Sequence, residues 1–189
     1  MNQVHYTTGQ TDLVFNSDRS LFSPNAIDKG TLAMLNAIIL HDQEKILDLG
    51  CGYGFAGIYL IKVKNMTEVV FSDISETAVL KTRENLRINH AGENKVILSD
   101  GFLNVHDNDF TLILSNPPYH SDFSVPKHFI EKGFHHLALG GRMVMVTKRK
   151  EWYKNKFIAV FGGVKIQEAD GYYVFEAEKR SIHFSGRKK

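Results

Sequence analysis

The sequence predicts an α/β fold in which a mostly parallel, seven-stranded sheet carries helices on both faces and ends in an antiparallel hairpin. Three observations support this. Short apolar runs rich in β-branched residues alternate with stretches whose apolar residues recur at helical spacing. The first buried run leads directly into a glycine-rich turn at 50–54. Asp170-Gly171 separates the last two runs, which is a tight-hairpin signal. Alternating strands and helices form right-handed βαβ units, and these make the sheet parallel.

The chain begins with a polar N-terminal extension, residues 1–24, in which 13–15 are expected to form one strand of a hairpin. A first helix is predicted at 31–40, because leucines and isoleucines recur there at helical spacing. Ser23 or Asn25 is a candidate cap for this helix.

The later elements follow the same two patterns. Ser75 is expected to cap the helix that follows it, with Glu76 in the first turn. Gly140-Gly141 are expected to end the fourth helix. The predicted strands are 45–49, 69–71, 95–98, 110–115, 142–147, 164–168 and 172–178, and the later helices are 55–63, 75–89, 127–139 and 151–161.

The composition is that of a globular protein, with 43% hydrophobic and 23% charged residues and a net charge of +2. We expect a single domain, 1–189, with a basic tail at 183–189. Cys51 has no partner for a disulfide, which favours a reducing compartment. No apolar run approaches the length of about 20 residues that spans a membrane, and no signal peptide is recognisable, so a cytoplasmic protein without membrane contact is expected. The histidines lack metal-ligand spacing, so no metal is expected. Monomer and homodimer stay open.

A strand, a turn with three alternating glycines and a helix together predict a nucleotide site. Gly50, Gly52 and Gly54 let the backbone approach a ligand, and the following helix offers N–H groups to a carboxylate or phosphate. Asp73 follows the next strand, where a carboxylate can accept from both ribose hydroxyls. Asp100 follows the third strand and is expected to accept from an adenine amino group, with Ile74 or Phe102 against the ring. The residues expected to contact an adenosine-containing cofactor are Phe22, Ser23, Asp48, Gly50, Cys51, Gly52, Gly54, Asp73, Ile74, Asp100, Gly101, Phe102 and Asn116.

A second motif, Asn116-Pro117-Pro118-Tyr119, follows the buried strand at 110–115. The two prolines fix two φ angles and remove two backbone donors, so the strand ends in a stiff corner. One amide side chain and free carbonyl oxygens then form a site suited to holding an amino group. Tyr119 supplies a flat face beside it.

These motifs carry a resemblance to a known family. The segment 48–54 resembles the cofactor loop of class I S-adenosylmethionine-dependent methyltransferases, and Asp73 and Asp100 stand where that family places its ribose and adenine acids. The segment 116–119 resembles the family's motif for methylating planar nitrogens. The resemblance implies a Rossmann-like class I methyltransferase fold and S-adenosyl-L-methionine as cofactor. It also implies that Asn116, Pro117 and Tyr119 are the catalytic residues.

Two softer matches select a branch of this family. Leu21-Phe22-Ser23 with Asp28-Lys29-Gly30, and the segment 171–174, resemble the small-domain branch that includes ribosomal RNA guanine 2-amino methyltransferases. The resemblance covers about residues 5–180. The larger enzymes of that branch carry a second, degenerate methyltransferase domain, which is not expected in this chain.

The expected function is therefore methylation of an exocyclic amino group of a base, with guanine favoured, in ribosomal or other RNA. RNA is the expected partner. A basic rim around Lys148 and Arg149, directly after the predicted strand 142–147, could bind its phosphates. The residues expected to bind substrate are Pro118, Tyr119, His120, Lys148 and Arg149. A protein glutamine or a DNA adenine is an alternative acceptor. A nicotinamide-dependent oxidoreductase is disfavoured because the glycine pattern is not G-x-G-x-x-G. A non-catalytic RNA-binding module is disfavoured because Asn116 and both acids are present.

Overall fold

The computed structural model describes residues 2–118 and 122–186 of the chain. Its strands are β1 (Asn2–Thr8), β2 (Thr11–Ser17), β3 (Lys45–Leu49), β4 (Glu68–Asp73), β5 (Val96–Leu98), β6 (Phe110–Ser115), β7 (Leu137–Thr147), β8 (Lys165–Ala169) and β9 (Tyr172–Glu178). Its helices are α1 (Lys29–Ala37), α2 (Phe55–Lys64), α3 (Glu76–Ile88), α4 (Ser124–His136) and α5 (Lys150–Phe161). No helix in this part of the chain is long and apolar enough to cross a membrane.

Seven strands form one sheet in the order β5-β4-β3-β6-β7-β9-β8. Neighbours from β5 to β7 pair in parallel, and β9 is antiparallel to both β7 and β8. The predicted fold is therefore confirmed, including the single antiparallel strand that the closing hairpin adds. Because β4 and β5 lie on one side of β3 and β6 and β7 on the other, the strand order reverses between β3 and β6. A crevice at the carboxyl ends of these strands is the usual ligand site of such sheets.

The N-terminal hairpin, β1 with β2, forms a separate two-stranded sheet, as the sequence predicted for its second strand. Its apolar side packs toward α2, where the rings of Phe15 and Phe55 lie 5.3 Å apart. Its backbone is held by two side chains of α3. The N–H and carbonyl of Asn16 pair with the Asn85 amide at 2.8 and 3.0 Å, and those of Val14 pair with the Asn89 amide at 2.9 and 2.8 Å. These side chains supply the backbone partners that a third strand would otherwise provide.

The start of α1 differs from the prediction. Neither Ser23 nor Asn25 caps this helix. Asp28 does, because its Oδ2 accepts the backbone N–H of Thr31 at 2.7 Å. The helix begins at Lys29, and Ser23 lies in an earlier turn with φ of 49° and its hydroxyl donating to the Ala26 carbonyl.

The boundary between α4 and β7 is also corrected. Gly140-Gly141 do not end a helix, because α4 stops at His136 and β7 begins at Leu137. The glycines instead form a bulge in β7, where the pairing with β6 shifts from Phe110–Leu137 to Leu112–Arg142. A Cβ at Gly141 would lie 2.7 Å from the Phe110 carbonyl oxygen, so this close approach of two backbones needs glycine.

The predicted basic tail, 183–189, begins packed against the domain. The Phe184 ring meets Phe134 edge-on at 5.0 Å, and the N–H groups of Ser185 and Gly186 donate to the last turn of α5. Residues 187–189 lie outside the described residues.

Helix α2 lies so close to the sheet that its third residue must be glycine. A Cβ at Gly57 would lie 2.2 Å from the Phe71 ring, and both that ring and the neighbouring Ile58 are fully buried. The contact between Gly57 and Phe71, a residue of β4, therefore sets how closely α2 and the glycine-rich turn before it can approach the sheet.

We predict that Gly57→Ala lowers the free energy of unfolding by about 2–3 kcal/mol, because the core cannot accept the methyl group without moving Phe71. Urea denaturation measures this. Gly163→Ala is the matched control, since a Cβ there has nothing within 4 Å. Equal midpoints for the two variants would contradict the close packing.

Candidate active site

A cavity of about 360 Å³ opens at the carboxyl edge of the sheet, next to the reversal between β3 and β6. This volume lies in the range of small-molecule sites. Its walls come from the β3–α2 turn, the ends of β4 and β6, the loop after β5, the start of α1 and the segment before it. They include the predicted residues Phe22, Ser23, Asp48, Gly50, Cys51, Gly52, Asp73, Ile74, Asp100, Gly101, Asn116, Pro117 and Pro118.

The glycine-rich turn is held by its own hydrogen bonds. The Ser72 carbonyl accepts the N–H groups of Gly50 at 2.8 Å and Cys51 at 3.0 Å. The Gly52 N–H donates to the Asp73 carboxylate at 2.8 Å. All three glycines have positive φ, between 58° and 86°, a region that favours glycine. The three N–H groups of Gly50, Cys51 and Gly52 are therefore already paired within the protein.

Gly54 has a different role from the one predicted. It does not line the cavity but begins α2, and a Cβ there would lie 2.9 Å from the Thr82 side chain. Cys51 does line the cavity, with its Sγ 3.5 Å from the Thr82 hydroxyl. Burial raises the pKa of the Cys51 thiol well above its usual value, so this cysteine is not a thiolate nucleophile.

Asp48 is buried beneath the turn. Its Oδ2 accepts the N–H of Gly57 at 2.9 Å, which fixes the first turn of α2 and uses an N–H that the sequence analysis assigned to a ligand. The pKa of Asp48 is raised to about 7, chiefly by burial, with the Gly57 N–H acting to lower it and the nearby Asp73 charge acting to raise it. Asp48 thus positions the turn and lines the cavity from below.

Asp73 stands at the end of β4, where the sequence predicted it. Its two carboxylate oxygens accept the N–H groups of Gly52 and Ser75, at 2.8 and 2.9 Å. Desolvation by burial raises the pKa of Asp73, and these backbone donors lower it. A carboxylate has about four acceptor positions, so two hydroxyl groups can still be accommodated.

The loop after β5 brings only part of the predicted set to the cavity. Asp100 and Gly101 line it, and the exposed Ile74 side chain lines it from the end of β4. Phe102 does not. Its ring is buried in the core and stacks on His136, with centroids 4.5 Å apart. Phe102 is therefore not available to a planar ligand, whereas Ile74 is.

The corner after β6 reaches the same cavity. The Ser115 hydroxyl donates to the Leu49 carbonyl at 2.8 Å, which ties β6 to the glycine turn. The Asn116 amide nitrogen donates to Asp28 Oδ2 at 2.7 Å and to the Thr31 hydroxyl at 2.9 Å. Pro117 and Pro118 continue the wall. Tyr119 and His120, two of the predicted substrate residues, lie outside the described residues.

Thr31 was not predicted as a site residue, and Asp28 was expected only as part of a motif before the first helix that could fold over the cofactor. They line the cavity and contact Asn116, although they are more than 80 residues away in sequence. The only sequence signal was that Asp28 belongs to a motif before the first helix. A residue that caps a helix cannot be told by sequence from one that binds a distant amide, because both roles need only a short polar side chain.

Lys148 and Arg149 do not line the cavity. The Lys148 ammonium lies 4.9 Å from the Tyr172 ring centroid, and the Arg149 guanidinium lies 5.0 Å from that of Phe123. Since Ser115 pairs with Met145, these cations follow β7 one strand away from the Asn116 corner, a spacing of about 4.8 Å between neighbouring strands.

The charge of the cavity is one-sided. Four carboxylates line it, those of Asp28, Asp48, Asp73 and Asp100, and among its described lining residues there is no lysine, arginine or histidine. Such a wall favours a ligand with positive charge and disfavours a pyrophosphate. In residues 2–118 and 122–186, no group of three or more potential metal ligands occurs.

Comparison with known proteins identifies the family. Residues 12–176 match the methyltransferase small domain. The chain belongs to this family. The methyltransferase is 32% identical to the uncharacterized protein YbxB of Bacillus subtilis over 174 residues, 89% of this chain and 87% of that protein. It is 31% identical to ribosomal RNA small subunit methyltransferase C of Hamiltonella defensa over 150 residues, 77% of this chain and 44% of that protein.

Two further comparisons concern larger proteins. Ribosomal RNA large subunit methyltransferase G of Yersinia enterocolitica is 26% identical over 88% of this chain and 44% of that protein. The structure of the T. thermophilus 16S rRNA N2 methyltransferase (RsmC), in complex with AdoMet and guanosine, shares the fold. Its TM-score is 0.84 at 24% identity, over 93% of this chain and 50% of that one. The methyltransferase thus spans about half the length of these ribosomal RNA methyltransferases.

The resemblance to class I S-adenosylmethionine-dependent methyltransferases is confirmed, and with it the assignment as an enzyme and S-adenosylmethionine as its cofactor. The nicotinamide-dependent oxidoreductase is therefore the wrong alternative, and so is the non-catalytic module.

We predict an unusual pH dependence of stability from Asp48. Its folded-state pKa of about 7 lies above the ordinary value of 3.8, so the folded protein keeps a proton that the unfolded chain releases in this window. Raising the pH from about 4 to 8 therefore lowers the free energy of unfolding through this group, by on the order of 3 kcal/mol.

Asp48→Asn removes this contribution, so urea midpoints at about pH 5 and pH 8 should differ less in the variant than in the wild type. Asp42→Asn, at an exposed position, is the control and should keep the wild-type pH dependence. An unchanged pH dependence in Asp48→Asn would show that Asp48 is ionised in the folded protein.

Proposed function

We propose that the methyltransferase transfers a methyl group from S-adenosylmethionine to an exocyclic amino group of a base in RNA, with guanine as the favoured base. One observation carries the proposal. The Asn116-Pro117 corner, rich in hydrogen-bond acceptors, lines the same cavity as the glycine turn and Asp73. Methyl donor and amine therefore have adjoining places in one space.

The residues of the cavity fit S-adenosylmethionine. Asp73, with acceptor positions beyond its two backbone donors, would hold the ribose hydroxyls. Asp100 would accept from the adenine amino group, and Ile74 would pack against the ring. S-adenosylmethionine carries a sulfonium and an ammonium group against one carboxylate, so its net positive charge complements the acidic wall that Asp28, Asp73 and Asp100 form.

S-adenosylmethionine, when bound, supplies an electrophilic methyl group on a positively charged sulfur. The chain's own contribution is to hold the acceptor. An exocyclic amino group is a poor nucleophile because its lone pair is conjugated with the ring. The side-chain oxygen of Asn116 and the carbonyl of Pro117 would each accept one N–H, which directs the lone pair away from them and toward the cofactor side of the cavity.

These two acceptors favour the transition state over the ground state. Positive charge develops on the nitrogen as it is methylated, and fixed carbonyl dipoles stabilise that charge more than they stabilise the neutral amine. Both acceptors are rigidly held, Pro117 by its ring and Asn116 by its hydrogen bonds to α1. No strong base is needed, because the methylated amine is acidic and loses its proton readily.

RNA is favoured as the substrate by two observations. The relatives that share most of this chain's length include ribosomal RNA methyltransferases. A run of exposed cations, Lys148 to Lys150, follows β7 beside the Asn116 corner and suits backbone phosphates. Lys148 and Arg149 would bind these phosphates, and Pro118, Tyr119 and His120 would contact the base. A DNA adenine and a protein glutamine are the acceptors that the experiment below distinguishes.

We predict that wild-type protein transfers labelled methyl groups to the RNA fraction of a cell extract rather than to its DNA or protein. Asn116→Ala should lower the rate constant about 100-fold or more, because one fixed dipole is lost from the transition state. Its affinity for S-adenosylhomocysteine, measured by calorimetry, should fall much less than the rate constant.

Asn94→Ala is the control for this substitution, since Asn94 lies outside the cavity and its side chain donates to the nearby Ala91 carbonyl. Methylation of protein or DNA alone would overturn the RNA assignment. A wild-type rate in Asn116→Ala would overturn the role of the corner.

We also predict that Lys148→Ala with Arg149→Ala weakens RNA binding and reduces the slope of log Kd against log salt by about 1 to 2, as expected for the loss of two phosphate contacts. The matched double variant Lys64→Ala with Arg87→Ala removes two exposed cations from the last turns of α2 and α3, away from the cavity. It should leave that slope unchanged. Equal slopes for both double variants would mean that Lys148 and Arg149 do not bind the RNA phosphates.

A further inference from the structure

We infer that Asp28 and Thr31 are positioning residues that turn the Asn116 amide so that its oxygen, not its nitrogen, faces the substrate amine. This inference rests on the proposed function for the identity of that amine. Its structural part, the orientation of the amide, rests only on the hydrogen bonds that Asn116 makes with Asp28 and Thr31.

Three donors converge on one oxygen. Asp28 Oδ2 accepts the Thr31 N–H at 2.7 Å, the Thr31 hydroxyl at 3.3 Å and the Asn116 Nδ2 at 2.7 Å. The Asn116 Nδ2 also donates to the Thr31 hydroxyl at 2.9 Å. The cap of α1 and the amide of the proline corner are therefore one hydrogen-bonded cluster, and its atoms line the cavity.

The cluster decides which end of the amide points where. An asparagine side chain has a donor end and an acceptor end of nearly equal size, and a rotation of about 180° exchanges them. An ionised carboxylate only accepts hydrogen bonds. The nitrogen must therefore face Asp28, because an amide oxygen in its place would meet a carboxylate oxygen at 2.7 Å. The nitrogen and the oxygen of the amide are bonded to the same planar carbon and point in different directions. With the nitrogen facing Asp28, the oxygen is turned away from it.

This orientation matters for methyl transfer. The substrate amine presents N–H groups, which require an acceptor. A rotated amide would present its own N–H groups, so one hydrogen bond would be lost and two donors would face each other. The sequence motif specifies that an asparagine is present, but only the partner on α1 specifies which way it faces.

The helix cap does not by itself account for these contacts. Capping requires only the bond from the Thr31 N–H to Asp28, and the Thr31 hydroxyl takes no part in that bond. The hydroxyl accepts from Asn116 and donates to Asp28 Oδ2. Thr31→Val keeps the size of the side chain and the backbone donor of the cap but removes both of these hydroxyl bonds, so it separates positioning from capping.

The first experiment measures kcat with the RNA substrate for two matched pairs. Asp28→Ala removes the acceptor and is expected to lower kcat about 10- to 100-fold, the value of a hydrogen bond to a charged group. Asp28→Asn keeps an acceptor oxygen and a capping side chain, and should lose less. Thr31→Val should lower kcat more than Thr31→Ser, which keeps the hydroxyl. Equal losses within each pair would overturn the inference.

A double-mutant cycle with Asn116→Ala separates positioning from a general loss of structure. If Asp28 acts through Asn116, then Asp28→Ala should lower kcat by less than about twofold in the Asn116→Ala background. The same fold-loss in both backgrounds would mean that Asp28 acts independently, and would overturn the inference. Thermal melting of all variants measures how much stability is lost with the cap.

A second readout does not require turnover. In ¹⁵N-labelled protein, the Asn116 side-chain NH₂ resonances are assigned by their disappearance in Asn116→Ala. They should exchange slowly with solvent in the wild type and rapidly in Asp28→Ala. Rapid exchange in the wild type would overturn the inference even if the enzyme were active. Slow exchange in a protein that methylates no RNA would support the amide orientation and overturn only the proposed substrate.

Discussion

The site depends on one carbonyl, that of Ser72 at the end of β4. It accepts the N–H groups of Gly50 and Cys51, which makes the glycine turn an extension of the parallel sheet. On the other side, the Ser115 hydroxyl holds the last carbonyl of β3. Three neighbouring strand ends are thereby joined before any ligand is considered. The positions of Asp73 and Asn116 relative to the turn follow from the register of β4, β3 and β6, and not from flexible loops.

Polar side chains on α3 and at the N-cap of α1 connect other segments of the chain to this site. On α3, Thr82 and Asn85 donate to the carbonyls of Gly52 and Tyr53, while Asn85 also binds the backbone of β2. The N-terminal hairpin, which has no place in the main sheet, is thus connected to the cofactor side of the cavity. At the N-cap of α1, Asp28 connects the chain before this helix to the corner after β6. A buried polar group without partners is costly, so each of these contacts also restricts the fold to one arrangement.

Negative and positive charges lie on different parts of the protein, and each suits a different ligand. The whole chain carries a net charge of +2, yet the cavity is lined by four aspartates, and exposed cations stand beside it after β7. An acidic interior suits a cationic methyl donor, and a basic surface suits a polyanionic acceptor. Each cation lies over an aromatic ring, which holds the charge at the surface without neutralising it. Bulk charge conceals this pattern, because the opposite signs nearly cancel.

The sequence by itself determined the architecture and the chemistry of the two motifs. Period-two and helical patterns are local, so β3 to β9 and the five helices could be predicted to within a few residues. The glycines, Asp73 and Asn116 stand at strand ends that a parallel sheet must bring together. The tertiary structure decided what depends on contacts between distant segments. Phe102 turned inward to His136, Gly140-Gly141 became a bulge against Phe110, and Asp28 became the partner of Asn116. A local pattern specifies which groups are available, but only packing specifies which of them meet, because the partners lie dozens of residues apart along the chain.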